Sequence, residues 1–470
     1  KSWVDYGVPM STTNDQAAKM YDGLLTQYVG WYDEDSLGGM EGTINTMIGA
    51  DPNFVMGHVL KNGLEILGTG RTVRLDNELK KDVEQMVQLG TSQSTTDRER
   101  KHVNAVKLWA DGEMTEACKV WEDILVDHPL DMLALKFAHD SYFYLGHHPQ
   151  MRDSIARVMP HWKPDMPLQS YLYGMHAFGL EECNQYALAE ELARKGLELN
   201  KHDAWSTHSM AHVLEMGGRA PEGIKFMSST ENDWNICEMI ACHNYWHYGV
   251  YNIEMGKHDE ALGLFDREVG RRAAQSGALL DLVDACSLLY RLKLEGIPVK
   301  ERWEDTLEVC KPHVDDHVLT FNDAHILMVA LGQGDKDTTD KLIKSLKDFA
   351  ENGTGDNQKI AKEVGVPLCE AIVAFEEGDY ARAVNLVSPI RYRIITIGGS
   401  HAQRDVFNLF LIHAAIRSDD KAHHRLARQL LIERKTLKPY APMTDRLSDR
   451  LKEKAMLTHN DQLLFGQVTA

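Results

Sequence analysis

Three times in this chain a glycine is followed five positions later by an alanine, between two stretches of helical hydrophobic period. The copies are Asp111-Gly112-Glu113-Met114-Thr115-Glu116-Ala117, Gly256-Lys-His-Asp-Glu-Ala261 and Gly378-Asp-Tyr380-Ala-Arg-Ala383. Each part has a physical role. The glycine permits a tight turn between two helices, and the small alanine lets those helices approach closely. A proline then ends the second helix, as at Pro129 and Pro389. One such pair cannot bury its apolar face alone, so the pattern predicts pairs stacked on one another and a chain that is entirely α-helical.

The 470 residues exceed one ordinary compact core and suit a continuous array. We read 1–97 as N-terminal capping helices, with Thr96 as an N-cap, and 98–270 as well-marked repeats. Residues 271–365 read as degenerate repeats with helices near 276–294, 300–311, 318–331 and 336–350, and 366–470 as C-terminal repeats and a capping helix. The Gly/Asp/Asn-rich stretch 352–357 reads as the best candidate for a mobile loop.

The unit from Arg98 to Pro129 resembles the tetratricopeptide repeat, a helix-turn-helix of about 34 residues. More specific strings are Phe54-Val-Met-Gly-His58, Asp140-Ser-Tyr-Phe-Tyr-Leu-Gly146, Ala241-Cys-His-Asn-Tyr-Trp-His247 and Gln403-Arg-Asp-Val-Phe407. Together they resemble the family of tetratricopeptide repeat protein 38. The resemblance implies an all-α, right-handed solenoid of stacked antiparallel helix pairs, and it implies almost no biochemistry.

Composition narrows the partners. Hydrophobic residues make up 43% and charged residues 26%, and no apolar run reaches the roughly 20 residues that span a bilayer. Acidic residues outnumber basic ones 70 to 51, a formal net charge of −19, whose summed field repels nucleic acid and anionic membranes. The expectation is a soluble, cytoplasmic chain with a protein or peptide partner, no nucleic acid and no membrane. Its seven cysteines form no Cys-x-x-Cys unit and read as buried thiols. The oligomeric state is open.

The chemistry-bearing residues gather on the first helices of the pairs, which the resemblance places along a concave groove. Two His-x-x-x-His spacings, His208 with His212 and His243 with His247, put each pair on one helical face. With Lys136, Asp140, Phe178, Glu215 and Trp246 they form the expected ligand groove. Three readings of the histidines stand side by side: groove residues, hydrogen-bonded core, or a zinc site, since this spacing lets two imidazoles reach one ion. Ser209 and Asn244 occupy the place where zinc peptidases carry glutamate.

Asp281 with Asp284 reads as an acidic helix start, and Lys136 with Asp140 as a helix-surface ion pair. Asn322-Asp323-Ala-His325 and His401 with Arg404-Asp405 also admit catalytic readings, but no nucleophile is fixed beside a base. Phosphate-cradling and dinucleotide-binding glycine loops and the serine nucleophile elbow are absent from the sequence. No residue is assigned to catalysis or to a metal, and no cofactor is invoked. The expected function is a non-catalytic binding scaffold whose groove holds a peptide or chain terminus. The alternative is a small-molecule or metal-dependent activity in the histidine-lined groove.

Overall fold

The structure, a computed structural model, describes residues 2–459. The expected all-α helical-repeat fold is present, and no strand occurs among the described residues. Helices follow one another as antiparallel pairs. Asp97–Ala110 packs on Met114–Asp127, Tyr171–Glu182 on Tyr186–Leu199, and Val366–Glu376 on Tyr380–Val387.

Helix starts follow capping chemistry. Thr96 and Glu99 form a reciprocal capping box at the start of Asp97–Ala110, and Ser400 with Gln403 does the same for His401–Arg417. The turn glycines behave as their spacing predicts. Gly112, Gly256 and Gly378 adopt left-handed φ values of 84°, 72° and 84° between paired helices. Ala117, Ala261 and Ala383 are all fully buried.

The helices differ in what they bury. Lys336–Asn352 buries one face through Thr339, Leu342, Leu346 and Phe349, the spacing of an amphipathic outer helix. By contrast Leu279–Leu294 is buried almost all round, as a helix covered by neighbours on every side must be. Polar residues on such inner helices therefore need partners within the protein.

The loop at 352–357 does not match its expectation as a mobile segment. Asp356 donates its amide to the Gly112 carbonyl at 2.9 Å, and its carboxylate accepts from the Thr115 amide at 2.8 Å. The second bond satisfies an amide of the Met114–Asp127 helix start, which has no side-chain cap of its own. Irregular helix appears as π turns at Phe265–Val269 and Ala361–Gly365 and a 3-10 stretch at Ser388–Ile397, of which only Ala361–Gly365 lies in the stretch read as degenerate.

The residues group into two compact units. Of the described residues, one comprises 2–210, 230–241 and 354–357, and the other 211–229, 242–353 and 358–459. No helix among the described residues is long and apolar enough to cross a membrane.

Candidate functional site

In the first unit Lys136 and Asp140 lie on the Met132–Leu145 helix, whose side chains are nearly all buried. Lys136 Nζ stands 2.7 Å from both Asp140 oxygens. Three aromatic faces surround the ammonium, with ring centroids at 4.7 Å for Tyr28, 4.4 Å for Trp31 and 5.4 Å for Trp205. Tyr28 donates its hydroxyl to Asp140 at 2.5 Å. Burial lowers the Lys136 pKa while Asp140 opposes the shift. The pair is thus not the surface ion pair of the sequence reading. Its charge is met inside the protein, and Lys136 is fully buried.

Phe178 and His208 belong to the same aromatic neighbourhood. The His208 ring lies 4.4 Å from Trp205 and 4.9 Å from Phe178, centroid to centroid. Trp31 stacks on Trp205 at 5.2 Å.

The second unit holds a different arrangement. His212 and Glu215 project from the Ala204–Met216 helix, and His243, Trp246 and His247 from Glu238–Glu254. Gly218, not Gly217, takes the left-handed turn conformation, with φ 70°, and this register turns His212 inward. His212 Nε2 and His247 Nε2 are 3.1 Å apart. His247 Nδ1 donates to Glu215 at 3.1 Å, and His243 Nδ1 donates to both Asp284 oxygens at 2.9 and 3.0 Å. Each carboxylate fixes a ring's orientation and tautomer, so Nε2 carries the lone pair. Among His212, His243 and His247, a ring nitrogen of each lies within 4.8 Å of the others.

Trp246 closes one side by stacking on His243 at 5.2 Å, with planes 8° apart, and the Arg291 guanidinium lies 5.3 Å from the Trp246 ring. Burial, then His243 and Arg291, push the His247 pKa well below the usual imidazole range. Burial raises the Glu215 pKa, against the opposing charges of Lys438 and Arg291. Glu215 also lines an internal cavity of about 20 Å³ with Arg291, Asp405, Arg434 and Lys438, enough for one water.

Of the nine expected groove residues, all but His243 are buried, so they do not line a groove open to a polymer ligand. His243 keeps a side-chain exposure of 13%. The inner helices are covered on both sides, and their polar groups turn to one another. Sequence reasoning missed Asp284 as a histidine partner. The available signal was an aspartate inside the apolar run Leu282-Val283-Asp284-Ala285-Cys286, where a carboxylate requires a buried partner.

The weaker candidates separate as well. Asp405 forms a bidentate pair with Arg434 at 2.6 and 2.8 Å. Asp281 accepts from Ser276 at 2.6 Å, and burial raises its pKa to about 6. Asp323 accepts from His317 Nδ1 at 2.9 Å, and His317 Nε2 lies 2.8 Å from Ser345 Oγ, the serine-histidine-aspartate order of hydrolases. Ser345 sits within Lys336–Asn352, donating to the Leu342 carbonyl at 3.1 Å. The amides around it belong to the helix ladder, so its own element supplies no oxyanion donors. His325 donates to the Phe321 carbonyl at 2.7 Å and plays no part in that triad.

No family model matches the chain. Solved structures with a similar arrangement include a monomeric mutant of IFIT1 with Gppp-AAAA, at a TM-score of 0.39 and 12% identity over 96% of this chain and 97% of that one. The human IFIT1 dimer with PPP-AAAA has a TM-score of 0.39 and 13% identity over 95% and 96%, and the human dimer with m7Gppp-AAAA a TM-score of 0.38 and 13% identity over 95% and 96%. Those ligands correct the expectation that excluded nucleic acid. A summed charge of −19 describes the distant field, whereas local groups decide what a surface holds, so the exclusion from net charge is withdrawn.

Proposed function

We propose that the chain is a non-catalytic binding scaffold of the tetratricopeptide type, akin to the family of tetratricopeptide repeat protein 38, that holds an extended peptide. The turn glycines and buried crossing alanines support the repeat type, and the strings around His58, Gly146 and His247 support the finer kinship.

The observation that carries the binding role is an open cleft of about 310 Å³ in the second unit. Its apolar lining includes Ile395, Phe407 and Leu411, and Asn408 and His401 supply polar groups. At its edge Tyr392 is 81% exposed, an aromatic left in water by the 3-10 stretch that carries it. A cleft with an apolar floor, the charged side chains of Arg391, Arg404 and Asp405 around it and an exposed aromatic at its edge suits the alternating side chains and backbone of an extended peptide. The buried lysine and histidines are then not peptide contacts.

Display of a random peptide library against the wild-type chain and the Tyr392→Ala variant tests this. Enriched peptides should bind the wild type and lose at least tenfold in affinity for the variant. A library that yields no binder, or binders indifferent to Tyr392→Ala, would remove the peptide reading.

A further inference from the structure

We propose that His212, His243 and His247 form a zinc-binding site held by Glu215 and Asp284. The inference concerns a different place from the peptide cleft and stands without it.

Three observations lead there. First, the donor set is three imidazoles from two helices, with a ring nitrogen of each within 4.8 Å of the others. Zinc binds imidazole nitrogen at about 2.0–2.1 Å, which places two tetrahedral ligands about 3.3 Å apart. The two Nε2 atoms of His212 and His247, at 3.1 Å, already stand near that spacing. Replacement of the proton between them by an ion requires the two rings, now 4.3 Å apart between centroids, to turn and move apart so that both nitrogens face the ion.

Second, the carboxylates lie where a metal site requires them. A ligating histidine usually donates its other ring N–H to a carboxylate or carbonyl, which fixes the tautomer and strengthens the nitrogen as a ligand. Glu215 does this for His247 and Asp284 for His243, from two different helices. Buried carboxylates are costly to hide. His102 with Asp131 and His317 with Asp323 are paired in the same way, but here the paired rings also stand against a third imidazole.

Third, the surroundings suit a divalent ion. Two buried carboxylates stand beside the rings, with the Lys438 and Arg291 charges opposing Glu215, and Trp246 against His243 shields the rings from water on one side. The partial exposure of His243 gives an ion a way in. Imidazole donors without thiolate favour zinc or copper(II) over magnesium or calcium, and buried rings on helices suit the tetrahedral habit of zinc. Three protein ligands leave the fourth corner to water, a bound group or a further side chain.

The test strips the full chain with chelator, confirms its helical circular dichroism, and titrates it with cobalt(II) and then zinc. The expected result is one equivalent of cobalt with the intense visible bands of a tetrahedral ion, displaced by zinc. Glu215→Gln and Asp284→Asn should keep the three ligands and lower zinc affinity by about 10–100-fold. His247→Gln should abolish the cobalt bands. Should that variant fail to fold, the two carboxylate variants decide alone. Stripped wild type that takes up no cobalt, or carboxylate variants that bind zinc as tightly as wild type, would overturn the site.

Discussion

The Lys136 box and the histidine cluster are both buried polar groups on inner helices, yet they are completed differently. Around Lys136 every demand is met internally, by one carboxylate, a tyrosine hydroxyl and three aromatic faces. Around His212, His243 and His247, carboxylates hold one nitrogen of His243 and one of His247, and a ring nitrogen of each of the three lies within 4.8 Å of the others. A closed set of partners describes a structural element. A convergent set of lone pairs describes a place for a guest.

The sharpest break of this comparison is Lys136→Met. It leaves Asp140 charged and buried without its cation, and such a loss typically costs about 3–5 kcal/mol. Chemical denaturation should show that loss, with much of it recovered in Lys136→Met/Asp140→Leu, where both charges are gone. Equal instability of the single and double variants would mean that Lys136 acts through packing alone.

One helix crossing in each unit offers a second test. Ala117→Leu and Ala261→Leu should each cost about 1–3 kcal/mol by overpacking, independent of any ion. Zinc should stabilise both variants by as much as it stabilises the wild type and leave their deficits unchanged. A deficit that zinc removes would mean that framework and site are not separable.

Acidity distinguishes structural histidines by its sign. Burial, then Lys136 and His176, hold the His139 pKa well below its ordinary value, and burial drives His325 to about 4. On acidification the unfolded imidazoles take up protons near pH 6.5, before the folded ones can. Their stabilising contribution is therefore present above pH 6.5 and is lost below it, at up to about 1.4 kcal/mol per pH unit for each group. For His325 the loss runs from about pH 6.5 to about pH 4. Asp203, raised by burial to about 6, works in the opposite direction between its unfolded value and pH 6. His325→Gln should flatten the fall in denaturation midpoint between pH 7 and pH 5, and an unchanged slope would contradict the assignment.

The smallest effect belongs to Lys336 with Asp340, which has the same four-residue spacing as Lys136 with Asp140 but side-chain exposures of 81% and 67%. Solvent screens that pair, and Lys336→Ala should leave the melting temperature unchanged.

The contrast between those two pairs shows how much was legible in the sequence. Turn glycines, crossing alanines and the Thr96 cap are local signals, and they mark the helix pairs in the sequence itself. The four-residue histidine spacings were local too, and so were visible. Which carboxylate meets which ring was not, because Asp284 lies 41 positions from His243 and reaches it only through helix packing. Burial was equally hidden: a Lys/Asp spacing reads alike on an outer or an inner helix, and only the neighbouring Tyr28, Trp31 and Trp205 separate the two cases. The loop at 352–357 was misjudged for the same reason, since its anchor at Gly112 is far away in sequence.

Zinc-dependent thermal stability of three chelator-treated proteins tests the central distinction most directly. Zinc should raise the melting temperature of the wild type and of Lys136→Met/Asp140→Leu, and leave that of His247→Gln where it was. An equal rise in all three, or none in the wild type, would contradict the assignment of the histidine cluster as the place for a guest and the lysine box as part of the frame.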